Sequence, residues 1–215
     1  MLQAKKMGAS VAGVGDVSIG LASEFKHITK AISIGIKHTI SGKQMEKKSC
    51  YNSHYFIIDR QLQVIQKALV RQLRFAGWHV LAIPPDSHRQ DNSFISRLYP
   101  LFPHKTAATC AGLGWIGKSG LLINDKFGPS LNWATVLTDA PLETNPNPIL
   151  ESRCGECQNC VVSCPAGAIR DTHWKRGDSY QSMIDTNKCT KQLENNKNMF
   201  GSADCGLCII NCPQG

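Results

Sequence analysis

An α+β chain in two parts is what the sequence predicts: a mixed α/β unit over residues 1–145, then a small cysteine-held unit over 146–215. Three observations predict it. β-like and helical runs alternate through the first 140 residues, the stretch APLETNPNPILES (140–152) carries three prolines and reads as a linker, and eight of the ten cysteines fall within 154–212. With 215 residues, 42% of them hydrophobic and 19% charged, the chain can bury one ordinary core beside a small satellite and is too apolar for disorder. No apolar run approaches the roughly 18 residues that span a bilayer. The start, MLQAKKMGAS, has charge without the apolar segment of a signal peptide. A cytoplasmic protein with no membrane partner is the expectation.

Taken in order, Met1–Met7 reads as a short helix stopped by Gly8, and SVAGVGDV as the strand after it. AISIGIK (31–37) is a second β-rich run, and 41–50 a polar loop. Asp59 is placed to cap a helix whose Leu62, Ile65, Leu69 and Leu73 form one apolar stripe, with Gly77 to stop it. Tyr51, His54 and Tyr55 near its start suit aromatic packing. WHVLAIP (78–84) follows as a strand ended by Pro84 and Pro85, and 86–110 is polar and turn-rich. GLLIN and NWATVLTD, separated by DKFGPS, predict an antiparallel hairpin with a long loop.

Before that hairpin, AGLGWIGKSGLLI (111–123) fits two nucleotide fingerprints at once: G-x-G-x-x-G at Gly112, Gly114 and Gly117, and G-x-x-x-x-G-K-S from Gly112 to Ser119. Both work only with a buried strand before the glycines and a helix after them, so that helix amides face phosphate. Here the polar FPHKTAATCA precedes and the strand-favouring SGLLIN follows. Nucleotide binding is not expected. Two uses stay open. The glycines permit tight turns beside a packed Trp115, or the loop holding Gly112, Gly114, Trp115, Gly117 and Lys118 brings backbone close to a cofactor or a cluster in the seam between the two parts.

CGECQNCVVSCP gives C-x2-C-x2-C-x3-C-P at Cys154, Cys157, Cys160 and Cys164, the bacterial run for [4Fe–4S] clusters. Three of these wrap one cubane, and the fourth, ahead of a helix-starting proline, points at another. CGLCIINCP supplies Cys205, Cys208 and Cys212, and Cys189 is the candidate for its missing partner. Crossed ligation then assigns Cys154, Cys157, Cys160 and Cys212 to one cluster, and Cys164, Cys189, Cys205 and Cys208 to the other. Zinc ribbons also use C-x2-C pairs but do not produce two C-x3-C-P endings. Cys50 and Cys110 lack spacing partners and read as buried thiols. Two cubane cores on eight thiolates bring the formal charge of +8 to about +4, which permits an acidic partner or nucleic acid without arguing for either.

The glycine loop, the VLTD that follows it, the C-x2-C-x2-C-x3-C-P run and the displaced cysteine before CGLCIINCP together resemble the epoxyqueuosine reductase family of iron–sulfur proteins. The similarity covers most of the chain. It implies a ferredoxin-like domain whose ligands are the same eight cysteines with the same crossing. It also implies an α/β domain similar to those of reductive dehalogenases and nitroreductases, which holds cobalamin. The implied substrate is the epoxide of a modified tRNA base, and the implied electron donor is a ferredoxin or flavodoxin. The glycine loop falls on the cofactor side.

Two departures accompany the resemblance. SRLYPLFPHK stands where the family's catalytic aspartate is expected, with Asp91 the nearest acid, and no helical-repeat domain follows Cys212 before Gly215. His104 and Lys105 are the acid/base substitutes in that stretch, since histidine titrates near neutrality, although a His–Lys pair in a polar loop also suits solvated surface. The expectation is an iron–sulfur oxidoreductase that passes electrons through two clusters to a corrinoid or small substrate. The alternative is a dedicated electron-transfer module for a partner enzyme.

Overall fold

The computed structural model describes residues 2–21, 25–39, 48–83, 85, 102–201 and 205–214, the side chains of 20 and 48–53 excepted. Two compact units form, each drawn from separate stretches of chain. The first is Met1–His38, Ser53–Leu113 and Leu131–Ile149, and the second is built chiefly from Gly114–Ser130 and Leu150–Gly215. A single boundary near residue 145 does not describe this division, because residues 114–130 fold with the cysteine segment.

The first unit holds helix α1 (Leu2–Lys6), strand β1 (Val11–Asp16), a 3-10 turn at Ser18–Gly20 and strand β2 (Lys30–Lys37). Helix α2 (Lys48–Phe75), strand β3 (Val80–Ile83) and helix α3 (His104–Cys110) follow. Strands β4 (Trp115–Ile116) and β5 (Leu122–Ile123) belong to the second unit, and β6 (Leu131–Thr138) returns to the first. The sheet runs β1-β2-β6-β3 with every neighbouring pair antiparallel.

Side-chain alternation decides what each sheet face meets. Ile32, Ile34 and Ile36 of β2 share a face with Val14, Ala134 and Val136, and this face packs on Ile58, Leu62, Ile65 and Leu69 of α2. That confirms the apolar stripe. Ala31 and Leu137 point the other way and meet Phe102, Ala107 and Cys110 at α3. With a helix on each face, all eight residues of β6 are buried. The α3 crossing is close enough to require glycine in β1: a Cβ on Gly15 would stand 2.5 Å from the Cys110 backbone carbon. At the far end of α2, Gly77 takes a left-handed φ of 87° while Trp78 N donates to Leu73 O, the glycine stop the sequence announces.

Three expectations fail here. Asp59 caps nothing: α2 starts at Lys48, and Asp59 lies within it, 1% exposed, accepting from Asn132 Nδ2 at 2.7 Å. The stretch read as turn-rich through 110 holds α3, which starts after Pro103, a residue whose fixed φ suits a helix entry. GLLIN and NWATVLTD do not form a hairpin. Leu122–Ile123 pairs with Trp115–Ile116, and β6 inserts between β2 and β3.

In the second unit, four helices stand on irregular chain: α4 (Asn159–Val162), α5 (Tyr180–Met183), α6 (Thr186–Phe200) and α7 (Leu207–Ile210). Its core is small: Ile116, Ile169, Trp174, Met183 and Ile184, with Cys160, Val161, Cys164 and Cys208 packed against it. Asp185 caps α6 by accepting from Lys188 N, and Gly201 ends it with a left-handed φ of 76°. Among the described residues, no helix is long and apolar enough to cross a membrane.

Candidate metal centre

Local turns set the ligand spacing. Cys157 N donates to Cys154 O at 3.2 Å, Cys164 N to Val161 O at 3.3 Å, and Cys212 N to Ile209 O at 3.2 Å. The electrostatic neighbours of each thiol then show which cysteines the fold gathers. Burial first, then the charges of Cys154, Cys212 and Cys157, push the Cys160 thiol up, and Cys212 is raised by burial and by Cys154 and Cys157. Cys189 is raised by burial and by Cys164 and Cys205, while burial, then Cys205, Cys160 and Cys189 take Cys208 to about 11. Cys160 thus has Cys154, Cys157 and Cys212 as electrostatic neighbours, Cys189 has Cys164 and Cys205, and Cys208 lies near members of both groups.

As bare thiols Cys160, Cys189, Cys208 and Cys212 resist ionisation, and a cationic core is what would hold them as thiolates. All eight cysteines of 154–212 are free. Ala168 N donates to Cys164 Sγ at 3.3 Å, an N–H···S contact of the kind that stabilises cluster thiolates. The residues fit two cubanes.

The glycine loop follows a helix and leads into a strand, the reverse of a phosphate-binding context. Gly112 has a left-handed φ of 69°. A Cβ on Gly114 would collide with the Ile123 carbonyl, and one on Gly117 would meet Ile123 Cγ1 at 2.9 Å and Cys154 Sγ at 3.3 Å. The close approaches at Gly114 and Gly117 are thus to the β5 strand and to a cluster ligand. Trp115 is 3% exposed, its indole N–H has no hydrogen-bond partner among the described residues, and the Arg153 guanidinium lies 5.9 Å from its ring centre.

Lys118 is no surface cation. It is 4% exposed, with Nζ 2.7 Å from Asp171 Oδ1. Burial works against its charge, but the hydrogen bond and charge of Asp171, with Cys154 and Glu156 nearby, outweigh it and hold the ammonium above its ordinary range. The Lys118 hydrogen bond in turn holds Asp171 below the ordinary carboxylate value. Sequence reasoning missed Asp171 and its second partner, Gln158, whose Nε2 donates to Asp171 Oδ2 at 2.6 Å. Asp171 is the one non-glycine residue with positive φ, 55°, among those described. Aspartate's tolerance of that region is the only sequence cue.

His104 and Lys105 lie in the first unit. His104 is 6% exposed with Nδ1 2.8 Å from Thr135 Oγ1, so the solvated-surface expectation gives way to a core histidine. Lys105 is half-buried. His54 and Tyr55 do stand near each other, around His38, with ring centres 5.5 and 6.2 Å from it, and His38 Nε2 is 2.7 Å from Asn132 Oδ1. Cys110 is buried as expected. The side chains of Cys50 and Tyr51, together with Asp91 and the rest of 86–101, lie outside the described residues.

Comparison with known proteins gives a consistent picture. The 4Fe–4S double cluster binding domain family matches residues 153–215. Over 172 residues the chain is 28% identical to the epoxyqueuosine reductase of Synechococcus sp. (strain CC9605), an alignment covering 74% of this chain and 46% of that protein. The chain spans at most about half the length of the curated relatives it matches. Its fold is similar to epoxyqueuosine reductase from Streptococcus thermophilus, with a TM-score of 0.61 at 15% identity, over 98% of this chain and 64% of that one. Another epoxyqueuosine reductase, solved with a modified tRNA stem loop, gives 0.59 at 15% identity, over 98% and 63%. A reductive dehalogenase associated with B12-dependent dehalogenation gives 0.71 at 19% identity, over 98% and 30%.

Proposed function

We propose that this chain, epoxyqueuosine reductase-like in sequence and fold, is an iron–sulfur oxidoreductase that relays electrons through two [4Fe–4S] clusters to an acceptor held by its α/β unit. The observation that carries the reading is the match of residues 153–215, which hold eight free cysteines, to the 4Fe–4S double cluster binding domain family; the crossed assignment of Cys154, Cys157, Cys160 and Cys212 to one cluster and Cys164, Cys189, Cys205 and Cys208 to the other is part of the proposal. Cubanes supply one-electron storage and relay. Two of them on one chain suit a two-electron reduction.

A corrinoid is the acceptor we favour, because the fold is similar to that of a B12-dependent dehalogenase. Such a cofactor supplies bond-cleaving chemistry that a cubane alone does not. The buried Trp115 N–H, open among the described residues, is a donor that a polar cofactor edge would satisfy, and Gly112, Gly114, Gly117 and Lys118 shape the loop around it. His104 and Lys105 are the candidate proton-handling residues. The substrate class follows the relatives: an epoxide on a modified tRNA base, or a smaller electrophile. The expected electron donor is a cytoplasmic ferredoxin or flavodoxin.

Anaerobic reconstitution is expected to yield about eight iron and eight sulfide per chain, and the reduced protein is expected to change the spectrum of added cobalamin. Bound zinc without a brown chromophore would overturn the cluster reading. Clusters that reduce only a partner protein, with no response to cobalamin, flavin or small electrophiles, would make the chain a dedicated electron carrier.

A further inference from the structure

We infer that Lys118, Asp171 and Gln158 form the electrostatic set-point of one cubane, the one held by Cys154, Cys157, Cys160 and Cys212. The inference rests on the two-cluster reading and adds to it residues that are not ligands.

A continuous set of contacts connects the glycine loop to the ligand run. Gly117 brings the loop backbone against Cys154. The next residue, Lys118, turns inward and meets Asp171 at 2.7 Å. The other oxygen of Asp171 accepts from Gln158 at 2.6 Å, and Gln158 lies between the ligands Cys157 and Cys160. Asp171 reaches both partners from a left-handed backbone at φ 55°, a conformation that persists where the surroundings over-determine it. The chain is held on the N-terminal side of Asp171: Arg170 N donates to Met183 O, and Ile169 bridges Ile184.

Stability is a poor reason for the pair. Burying the Lys118 ammonium carries a desolvation cost, and its partner Asp171 is a third exposed, a setting in which an ion pair contributes little net stability. Its position offers a better one. A cubane on four thiolates carries about −2 when oxidised and gains a further negative charge on reduction. Lys118 and Asp171 together are neutral, so neither sign dominates beside the cluster. Removing one partner leaves a full charge beside the ligand run, least screened when it is the buried Lys118 that stays. An uncompensated lysine favours the reduced cluster, and an uncompensated aspartate opposes it. Gly117, the residue before Lys118, lies against Cys154, and Gln158 lies between Cys157 and Cys160 in the ligand run, so the effect falls first on the cubane of those ligands.

The test is a potentiometric titration of the reconstituted full chain followed by electron paramagnetic resonance, with the step altered in Cys212→Ser identifying the cubane concerned. Lys118→Met is expected to lower that cluster's potential and Asp171→Asn to raise it, each by at least about 59 mV, a tenfold change in the one-electron reduced-to-oxidised ratio. Asparagine keeps both the left-handed backbone and an acceptor for Gln158. The double variant is expected to return near the parent, and the second cluster to move less throughout. Shifts of the same sign, or variants that lower only the melting temperature with both potentials unmoved, would overturn the inference while leaving the two-cluster reading intact. If Lys118→Met fails to assemble, the sign of the Asp171→Asn shift decides. Failure of the parent to take up iron would sink both.

Discussion

The α/β unit and the cysteine unit are folded by different means. In the first, a four-stranded sheet is covered on both faces, and Leu62, Ile34, Val136 and Phe102 are essentially removed from water. In the second, the apolar cluster on which the cysteines pack has five buried residues among those described, three of the four described helices have four residues each, and α6 buries none of its side chains. Apolar area scales with stability at roughly 25 cal/mol per Å², so the first unit has a broader hydrophobic basis than the second. Small units of that kind are commonly held by metal, whose binding free energy becomes folding free energy. On the proposed two-cluster reading, the cysteines of the second unit would be its structural core as well as its redox centre.

Removing the iron is the most severe way to break that contrast. Chelation under oxidising conditions is expected to abolish hydrogen-exchange protection across 154–212 while sparing β2 and β6. Equal loss in the sheet would show that the two units share one basis of stability.

A substitution in the hydrophobic unit sharpens the contrast from the other side. Leu62→Ala is expected to cost about 2–5 kcal/mol in urea unfolding of the α/β unit, with iron content unchanged. Loss of iron in parallel would contradict the separation.

The smallest expected effect is on pH. Burial, the largest influence, holds His38 below its ordinary 6.5; nearby His54 acts in the same direction, and the Asn132 hydrogen bond and Asp59 oppose. His54 is itself lowered by burial. Between the depressed folded values and 6.5 the unfolded chain binds more protons, so stability falls as pH drops from above 6.5 through that window and then levels. Unfolding curves from pH 8 to 5 should show this decline in the α/β unit, and His38→Asn should reduce it.

The double-cluster segment was legible because ligation is written in spacing: turns of fixed length deliver thiols to fixed places. The stripe of α2 was legible because burial imposes its period. What escaped reading were partners brought from afar. Asp59 stands just ahead of an apolar stripe, which is how a cap looks, yet its partner is Asn132 across the unit. The β-like character of 120–124 and 132–139 was plain, but strand propensity says nothing about which strand sits alongside. Helix α3 was too short to show a period. Gln66 spans the carbonyls of Ile83 and Thr135, and nothing in its neighbours along the chain announces that.

The strand order β1-β2-β6-β3 has a consequence for how the chain is made. On the ribosome, β1, β2 and β3 emerge well before β6, the strand that joins the last two. Until Thr138 has cleared the exit tunnel, β2 and β3 each present an open edge, and exposed edges invite unwanted pairing. Between them and their closing partner come α3 and the loop that carries Lys118. A translational pause shortly after residue 113 would prolong this vulnerable interval, whereas rapid synthesis through 114–138 would shorten it. Codon choice over that stretch should therefore influence soluble yield more than codon choice over the cysteine segment.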